Sequence, residues 1–224
     1  MNRLVSKKIS GMSVIYGSIS YFILSHISMY FYPGGTPWDP SKIGYTYWEN
    51  FLSDLGETIA KNGEPNLYSM ILSNSAIIVF GISICIFYFN YSTFICKKKW
   101  VGWITSGSGI LSGGGLILLG ITPSNTFKSF QLFGVYLWAL GLFCVLLITV
   151  IYKNDEYSNY LLSFTTLLLI FIGYHIFQGL TGVRGIPITI VQKIVFNLNV
   201  IWYLLMGSIL IKNEETYKVK QVSI

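Results

Sequence analysis

The chain has 224 residues, of which 53% are hydrophobic and only 11% are charged. A soluble domain usually carries about 25% charged residues, so this composition excludes an ordinary soluble domain and predicts an integral membrane protein. The net charge of +6 does not favour nucleic acid as a partner, because the basic residues lie at the ends of apolar runs. The three cysteines, Cys85, Cys96 and Cys144, form no CxxC metal pattern, and we expect no cofactor.

Six apolar runs are long enough to cross a bilayer, since a core of about 30 Å needs roughly 20 residues in a helix. They predict an all-α, polytopic protein with six transmembrane helices in a single membrane domain over residues 1–224. The runs cover approximately residues 9–31, 67–89, 100–121, 130–152, 159–177 and 187–211. The first run lacks a small-residue cleavage pattern, so we expect a retained helix rather than a signal peptide.

The distribution of Lys and Arg predicts the orientation in the membrane. If the N-terminus lies inside, the inner segments hold ten of the 15 Lys and Arg residues and the outer segments hold five. Positive residues are retained on the cytoplasmic side. We therefore expect a plasma-membrane protein with both termini in the cytoplasm.

The first outer segment, residues 32–66, is here called the cap loop. It opens with a turn-rich stretch of Pro and Gly and continues as YWENFLSDLGETIAKNGEPN. Thr46 and Glu49 have the spacing of a capping box, and Gly56 suits the left-handed position that ends a helix. These signals predict a short amphipathic helix from about Tyr47 to Leu55.

Two further signals mark the end of the cap loop. Lys61, Asn62 and Gly63 predict a turn. Asn66 directly precedes the second apolar run and is a candidate N-cap.

Small residues recur along the third apolar run, at Gly102, Ser106, Gly109 and Gly113. Such residues let helix backbones approach closely in lipid. This spacing predicts tight packing of the third helix, and it explains the adjacent glycines better than a phosphate-binding loop does.

Polar side chains inside the apolar runs cluster at the outer ends, whereas the inner halves are nearly pure Leu, Ile, Val and Phe. Polar groups are costly in lipid and normally face the bundle interior or a wet cavity. We therefore predict a polar pocket covered by the cap loop. The predicted ligand-binding residues are Glu49, Ser53, Asp54, Asn66, Gln131, Gln178, Arg184 and Lys193.

Alternative readings assign chemistry to the ionisable residues. Asp54, Glu57 and His175 could act as acid–base groups of a membrane-embedded hydrolase. His26 and His175, the only histidines, are candidate metal ligands. Arg184 and Lys193 could instead bind an anionic headgroup. A small transporter with His26, Asn74 and Lys193 along its route is a third reading.

Several short segments resemble the uncharacterised multi-pass membrane family catalogued as domain of unknown function number 998. They are Asn50-Phe51-Leu52-Ser53-Asp54-Leu55-Gly56, Pro65-Asn66, Gly120-Ile121-Thr122-Pro123-Ser124-Asn125, and Gln192-Lys193-Ile194 with Trp202. The resemblance implies a helical bundle with no established activity. In that family an acidic residue commonly follows the proline and a histidine opens the next helix. Asn125 and Gln131 stand near those places here, so a family site built on that pair would be lost.

The residues favour a non-catalytic membrane protein over the hydrolase and the transporter. We expect it to bind membrane lipids, or a protein partner within the membrane, through the pocket beneath the cap loop.

Overall fold

The computed structural model describes residues 3–94, 98–152 and 157–222. These residues form six α-helices, with no strands among them. The helices are α1 (Arg3–Tyr30), α2 (Leu67–Phe94), α3 (Lys99–Ile121), α4 (Lys128–Ile151), α5 (Asn159–Thr181) and α6 (Ile186–Val222). A 3-10 helix, Leu52–Gly56, lies in the cap loop.

All six helices are long and apolar enough to span a membrane, as the composition predicts. Several of them continue beyond the apolar runs. α1 begins at Arg3, α2 ends at Phe94, and α6 continues to Val222 through a polar tail, because backbone hydrogen bonds within a helix persist where the sequence turns polar. Cys96, and Lys97 and Lys153 among the basic residues counted for the inner segments, lie outside the described part.

The helices form a ring in which each packs against the next and α6 packs against α1. Glycines lie at the closest crossings. A Cβ on Gly113 of α3 would lie 2.7 Å from the carbonyl oxygen of Gly81 in α2, and one on Gly207 of α6 would lie 2.7 Å from that of Gly11 in α1. The expected packing role of the α3 glycines is confirmed, since only residues without side chains permit such approaches.

Aromatic side chains fill the centre of the ring. Phe196 of α6 stacks on Trp138 of α4, with ring centroids 4.4 Å apart, and on Tyr21 of α1, at 5.8 Å. Tyr21 also stacks on Phe80 of α2 at 5.2 Å. This group forms an apolar layer across the bundle below the cap loop.

The helix expected from Tyr47 to Leu55 is wrong in type and extent. Residues 47–49 form a turn, and the helical segment is the 3-10 helix Leu52–Gly56. The amide of Thr46 donates to Oδ1 of Asn50 rather than to Glu49, and the amide of Phe51 donates to the Asp54 carboxylate. Side chains that bond nearby backbone groups compete with helix formation.

The other end signals have mixed outcomes. Gly56 is not in the left-handed region. It is buried, and glycine is needed there because a Cβ would collide with the Asn74 side chain. Gly63 has a φ of 89° and closes the predicted turn by donating to the carbonyl of Ala60 at 2.9 Å. Asn66 precedes α2 as predicted and its carbonyl accepts from Met70, but its side chain binds the cap loop instead of capping the helix.

The contact between α3 and α4 provides a test of glycine packing with a control one residue away. A Cβ on Gly115 would lie 2.6 Å from the Gly134 carbonyl oxygen, whereas a Cβ on Gly114 would meet nothing within 4 Å. We expect Gly115→Ala to lower the free energy of unfolding by about 1–3 kcal/mol, the usual cost of overpacking. Gly114→Ala should be neutral or stabilising by up to about 1 kcal/mol, because alanine favours the helix.

Thermal unfolding of both purified variants in detergent measures the difference. Equal midpoints for the two variants would contradict the close α3–α4 contact.

A candidate ligand cavity beneath the cap loop

One polar face of α6 holds the middle of the cap loop. Thr189, Gln192, Lys193 and Asn197 follow one another at three- and four-residue spacings, which place them on a single side of a helix. Thr189 Oγ1 donates to the Trp48 carbonyl, Lys193 Nζ donates to the Asn50 carbonyl, and Gln192 Oε1 accepts from the Leu52 amide at 2.9 Å. Asn197 Nδ2 donates to the Tyr47 hydroxyl at 3.1 Å.

The first turns of α2 hold the 3-10 helix from the other side. Asn66 Nδ2 donates to the carbonyls of Leu55 and Glu57, at 3.0 and 2.9 Å. Ser69 Oγ donates to the Leu55 carbonyl at 3.2 Å, and Asn74 Nδ2 donates to the Gly56 carbonyl at 3.3 Å. Successive carbonyls at the end of a short helix lack partners within it, and α2 supplies those partners.

The connection between α3 and α4 gives a third attachment. Ser124 Oγ donates to Glu57 Oε1. Asn125 Nδ2 donates to the Thr58 hydroxyl at 2.7 Å, and its Oδ1 accepts from the Thr58 amide at 3.3 Å. The cap loop is therefore fixed to three separate places in the bundle.

Two buried carboxylates of the cap loop share one lysine. Lys61 Nζ lies 2.7 Å from Glu57 Oε1 and 3.5 Å from Asp54 Oδ1. Burial raises the pKa of the Asp54 carboxyl, although the Lys61 ammonium and the Asn50 amide oppose that rise. Burial disfavours the Lys61 ammonium, but the two carboxylates outweigh it and raise the pKa of Lys61. The charges are used to hold the loop together.

Asn50 is fully buried and joins the two halves of the cap loop. Its Nδ2 donates to the Gly35 carbonyl at 2.8 Å and to Asp54 Oδ2 at 3.1 Å. Its own carbonyl accepts from Lys193, whose ammonium also lies 5.3 Å from the ring centroid of Tyr47. A buried lysine bound in this way is an anchor for the loop rather than a free ligand-binding cation.

A cavity of about 80 Å³ lies beneath the cap loop, where the clustering of polar residues predicts a pocket. Its volume accommodates several water-sized groups, since one water needs about 10–15 Å³ on this scale. Residues of the cap loop cover it and all six helices contribute to its walls. The lining residues are Tyr21, Ser25, Leu52, Ser53, Leu55, Gly56, Ser73, Asn74, Ile77, Leu119, Gln131, Val135, Trp138, His175, Gln192 and Phe196.

Two aromatic residues in the cavity wall carry unpaired nitrogens. Trp138 and His175 are 1% and 8% exposed, and their ring centroids lie 6.4 Å apart. Neither Trp138 Nε1 nor His175 Nδ1 has a hydrogen-bond partner in the described part of the chain. Buried polar groups are nearly always paired, so these two nitrogens are exceptions within the residues that form the wall.

The structure divides the predicted ligand-binding residues into four groups. Ser53 and Gln131 line the cavity, as does the catalytic and metal candidate His175. The residues that hold the cap loop instead are Asp54, Asn66 and Lys193. Gln178 is buried outside the cavity lining, and both of its amide atoms are unpaired within residues 3–94, 98–152 and 157–222. Glu49 pairs with Lys42 at 3.1 Å, and Arg184 is exposed between α5 and α6.

The candidate catalytic and metal residues do not share the cavity. His175 lines it, whereas neither Asp54 nor Glu57 does so among the described residues. His26 is exposed on α1, and its Nδ1 lies 2.7 Å from the Phe22 carbonyl oxygen of its own helix. In the part of the chain that the structure describes, no group of three or more His, Cys, Asp or Glu side chains could hold a metal ion.

Sequence reasoning missed the aromatic part of the site. Trp138 and Val135 follow Gln131 at i+7 and i+4, on one face of α4, and Tyr21 and Ser25 have the same four-residue spacing on α1. Trp138 and Tyr21 could have been predicted by following the helix face of each polar residue in steps of three or four residues. Without that step, Trp138 is one of many aromatic residues in the apolar runs.

Comparisons with family models, with curated proteins and with solved structures found no match to this chain. Several of the short segments that carry the family resemblance contact one another. Asn50–Gly56 contacts Gln192 and Lys193, Asn66 binds the Leu55 carbonyl, and Ser124 binds Glu57. Trp202 instead donates to Thr165 of α5.

The attachment through Asn66 can be tested by making the same substitution, Asn to Asp, at Asn66 and at a control position. Asn66→Asp keeps the size of the side chain but removes the Nδ2 donor that binds the Leu55 and Glu57 carbonyls. Leaving buried polar groups without partners costs about 1–3 kcal/mol, and burying a carboxylate beside carbonyl oxygens adds to that cost. We therefore expect the free energy of unfolding to fall by at least that amount.

Asn62→Asp is the matched control, because Asn62 contributes an acceptor, Oδ1, to the Glu64 amide at 3.1 Å, and aspartate retains that acceptor. Thermal unfolding of both variants measures the effect. An unfolding midpoint for Asn66→Asp equal to that of Asn62→Asp would show that the Asn66 donor does not hold the loop.

Proposed function

We propose that this chain is a non-catalytic, multi-pass membrane protein that binds a lipid molecule in the cavity beneath the cap loop. The observation that carries the proposal is the mixed wall of the cavity, where uncharged polar side chains such as Ser73 and Gln131 stand beside apolar ones such as Ile77 and Phe196. A ligand that is part polar and part apolar matches such a wall.

The composition of the wall supports a lipid rather than a water-soluble ligand. Leu52, Leu55, Ile77, Leu119, Val135 and Phe196 give the cavity an apolar side beside its polar groups. Gln131 is half-buried, and its chain neighbours on α4 are exposed apolar residues, namely Phe130, Leu132 and Phe133. The outer surface of α4 next to Gln131 is therefore apolar and suits acyl chains.

The arrangement favours binding over hydrolysis. An acid–base mechanism needs a carboxylate within hydrogen-bond reach of its partner group. Asp54 and Glu57 are bound to Lys61 in the cap loop, and His175 has no partner at Nδ1 among the described residues. Transport gains no support either, because Lys193 is bound to the loop and His26 is exposed on α1.

The proposed location is the plasma membrane, with both termini in the cytoplasm and the cap loop outside. An even number of spanning helices favours both termini on one side of the membrane, and the excess of Lys and Arg in the inner segments supports the cytoplasm as that side. Kinship with the family that the sequence resembles is also proposed, supported by the contacts between the segments that carry the resemblance.

The orientation predicts which parts of the chain are accessible from outside the cell. Ile43 is 96% exposed in the cap loop, so an epitope inserted after it should bind an antibody added to intact cells. An epitope fused to either terminus should bind only after permeabilisation. The reverse pattern, measured by immunofluorescence, would contradict the orientation.

Lipid binding can be tested by filling the cavity. Ser73 of α2 lines the cavity, whereas Ser75 of the same helix is exposed. Native mass spectrometry of protein purified in mild detergent should find bound lipid on the wild type and on Ser75→Leu, and should find it lost from Ser73→Leu, because leucine occupies the cavity.

Equal lipid retention by Ser73→Leu and Ser75→Leu would contradict the proposal, as would a wild type that neither retains nor takes up any lipid. Conversion of the bound lipid to a hydrolysed product during incubation would contradict its non-catalytic part.

A further inference from the structure

We infer that the part of the ligand held in the cavity is uncharged: the ligand is a neutral lipid whose head carries hydroxyl or ester oxygens. This inference rests on the proposed function and names the class of lipid. It follows from the chemistry of the cavity wall and from the positions of the nearby charges.

The described polar groups of the cavity wall include no carboxylate, ammonium or guanidinium group. They are hydroxyls, amides, an indole N–H and an imidazole, contributed by Tyr21, Ser25, Ser53, Ser73, Asn74, Gln131, Trp138, His175 and Gln192. Among the described lining residues there is no Lys, Arg, Asp or Glu. Such a wall can donate and accept hydrogen bonds, but it offers no counter-ion to a phosphate, a carboxylate or an ammonium group.

The charged residues closest in sequence to the lining are already bound elsewhere. Lys193 follows Gln192 but donates to the Asn50 carbonyl and lies over the rings of Tyr45 and Tyr47. Asp54, between Ser53 and Leu55, is held by the Asn50 amide, the Phe51 amide and Lys61. Recruiting either charge to a ligand would break contacts that fix the cap loop.

Desolvation then decides between ligand classes. Burying an unpaired ion costs far more than burying a hydroxyl or an ester that finds hydrogen-bond partners. The hydroxyls and side-chain amides of the wall, such as those of Ser73 and Gln131, can pair with neutral oxygens. Ester carbonyls and hydroxyls supply such oxygens without a net charge, and the apolar side of the wall suits the adjoining acyl chain.

The size of the cavity limits what it holds. A volume of about 80 Å³ fits the head of such a lipid and not its chains. A short-chain diacylglycerol is therefore a suitable probe. Its charged counterpart, a phosphatidic acid with the same chains, differs only by a phosphate.

The experiment measures binding of 1,2-dioctanoylglycerol, of dioctanoyl phosphatidic acid and of octanoate to the full-length protein in detergent, by native mass spectrometry titration. We expect saturable binding of dioctanoylglycerol, with the two anions at least about tenfold weaker. Gln131→Met should weaken dioctanoylglycerol binding about three- to tenfold, the loss of one neutral hydrogen bond.

Gln178→Met is the matched control, since Gln178 is buried and unpaired in the described structure but lies outside the cavity lining. It should leave binding unchanged, and thermal unfolding of each variant verifies the fold. Ser73→Leu should abolish binding of every probe.

The outcomes separate the two proposals. Phosphatidic acid binding as tightly as dioctanoylglycerol, and lost in Ser73→Leu, would overturn the neutral class while the lipid-binding cavity stands. Dioctanoylglycerol binding that is unaffected by both Ser73→Leu and Gln131→Met would assign it to the protein surface and overturn the inference. Failure of all lipids, including those of a membrane extract, to bind the wild type would overturn the proposed function itself.

Discussion

The structure depends on the pairing of the backbone carbonyls in residues 48–57. This stretch is an irregular segment folded back onto the bundle, so most of its carbonyls have no partner within a long helix. Side chains at the start of α2 and on α6 supply the partners: Asn66, which directly precedes α2, with Ser69 and Asn74 from one side, and Thr189 and Lys193 from the other. Irregular backbone at the edge of a membrane is stable only where such groups are satisfied. The cap loop therefore acts as a fixed cover, and the cavity exists because that cover is held in place.

Charge is separated from the cavity in the same way. Asp54 and Glu57 of the cap loop pair with Lys61, and Lys193 of α6 binds the Asn50 carbonyl. The described residues that line the cavity include no Lys, Arg, Asp or Glu. Charged side chains are stable in the cap loop because carboxylates and an ammonium group pair there. A charge in the cavity wall would have no counter-ion among the described lining residues, and an unpaired charge is costly inside a membrane. A neutral polar site is what remains beneath.

Sequence predicted the parts of the fold that depend on composition and small residues. The six helices follow from the apolar runs, and the tight crossings follow from the α3 glycines. The end of α5 at Gly182, with a φ of 69°, uses the same helix-stop chemistry that was wrongly expected at Gly56. At Gly56 a long-range contact with Asn74 decides the conformation, and no local pattern reports such a contact.

The site was predictable in location but not in the role of each residue. Polar residues near the outer helix ends indicated a pocket, and Ser53, Gln131 and His175 line it. Asp54, Asn66 and Lys193 are also polar and buried, yet they bind backbone. Which face of the loop a side chain occupies depends on the turn at residues 47–49. The amides of Glu49 and Asn50 close that turn by donating to the Thr46 carbonyl, and the Asn50 side chain also bonds to Gly35, 15 residues away.

The central claim is that the cap loop is a fixed cover over the cavity, and amide hydrogen exchange in lipid nanodiscs tests it most directly. The amides of Leu52 and Glu57 donate to Gln192 and Asp54 within the anchored segment, whereas Ile43 lies in the exposed part of the same loop. The account predicts exchange at residues 51–57 at least about a hundredfold slower than at residues 41–43, because exchange there requires the loop to detach. Equal rates in the two segments would contradict it.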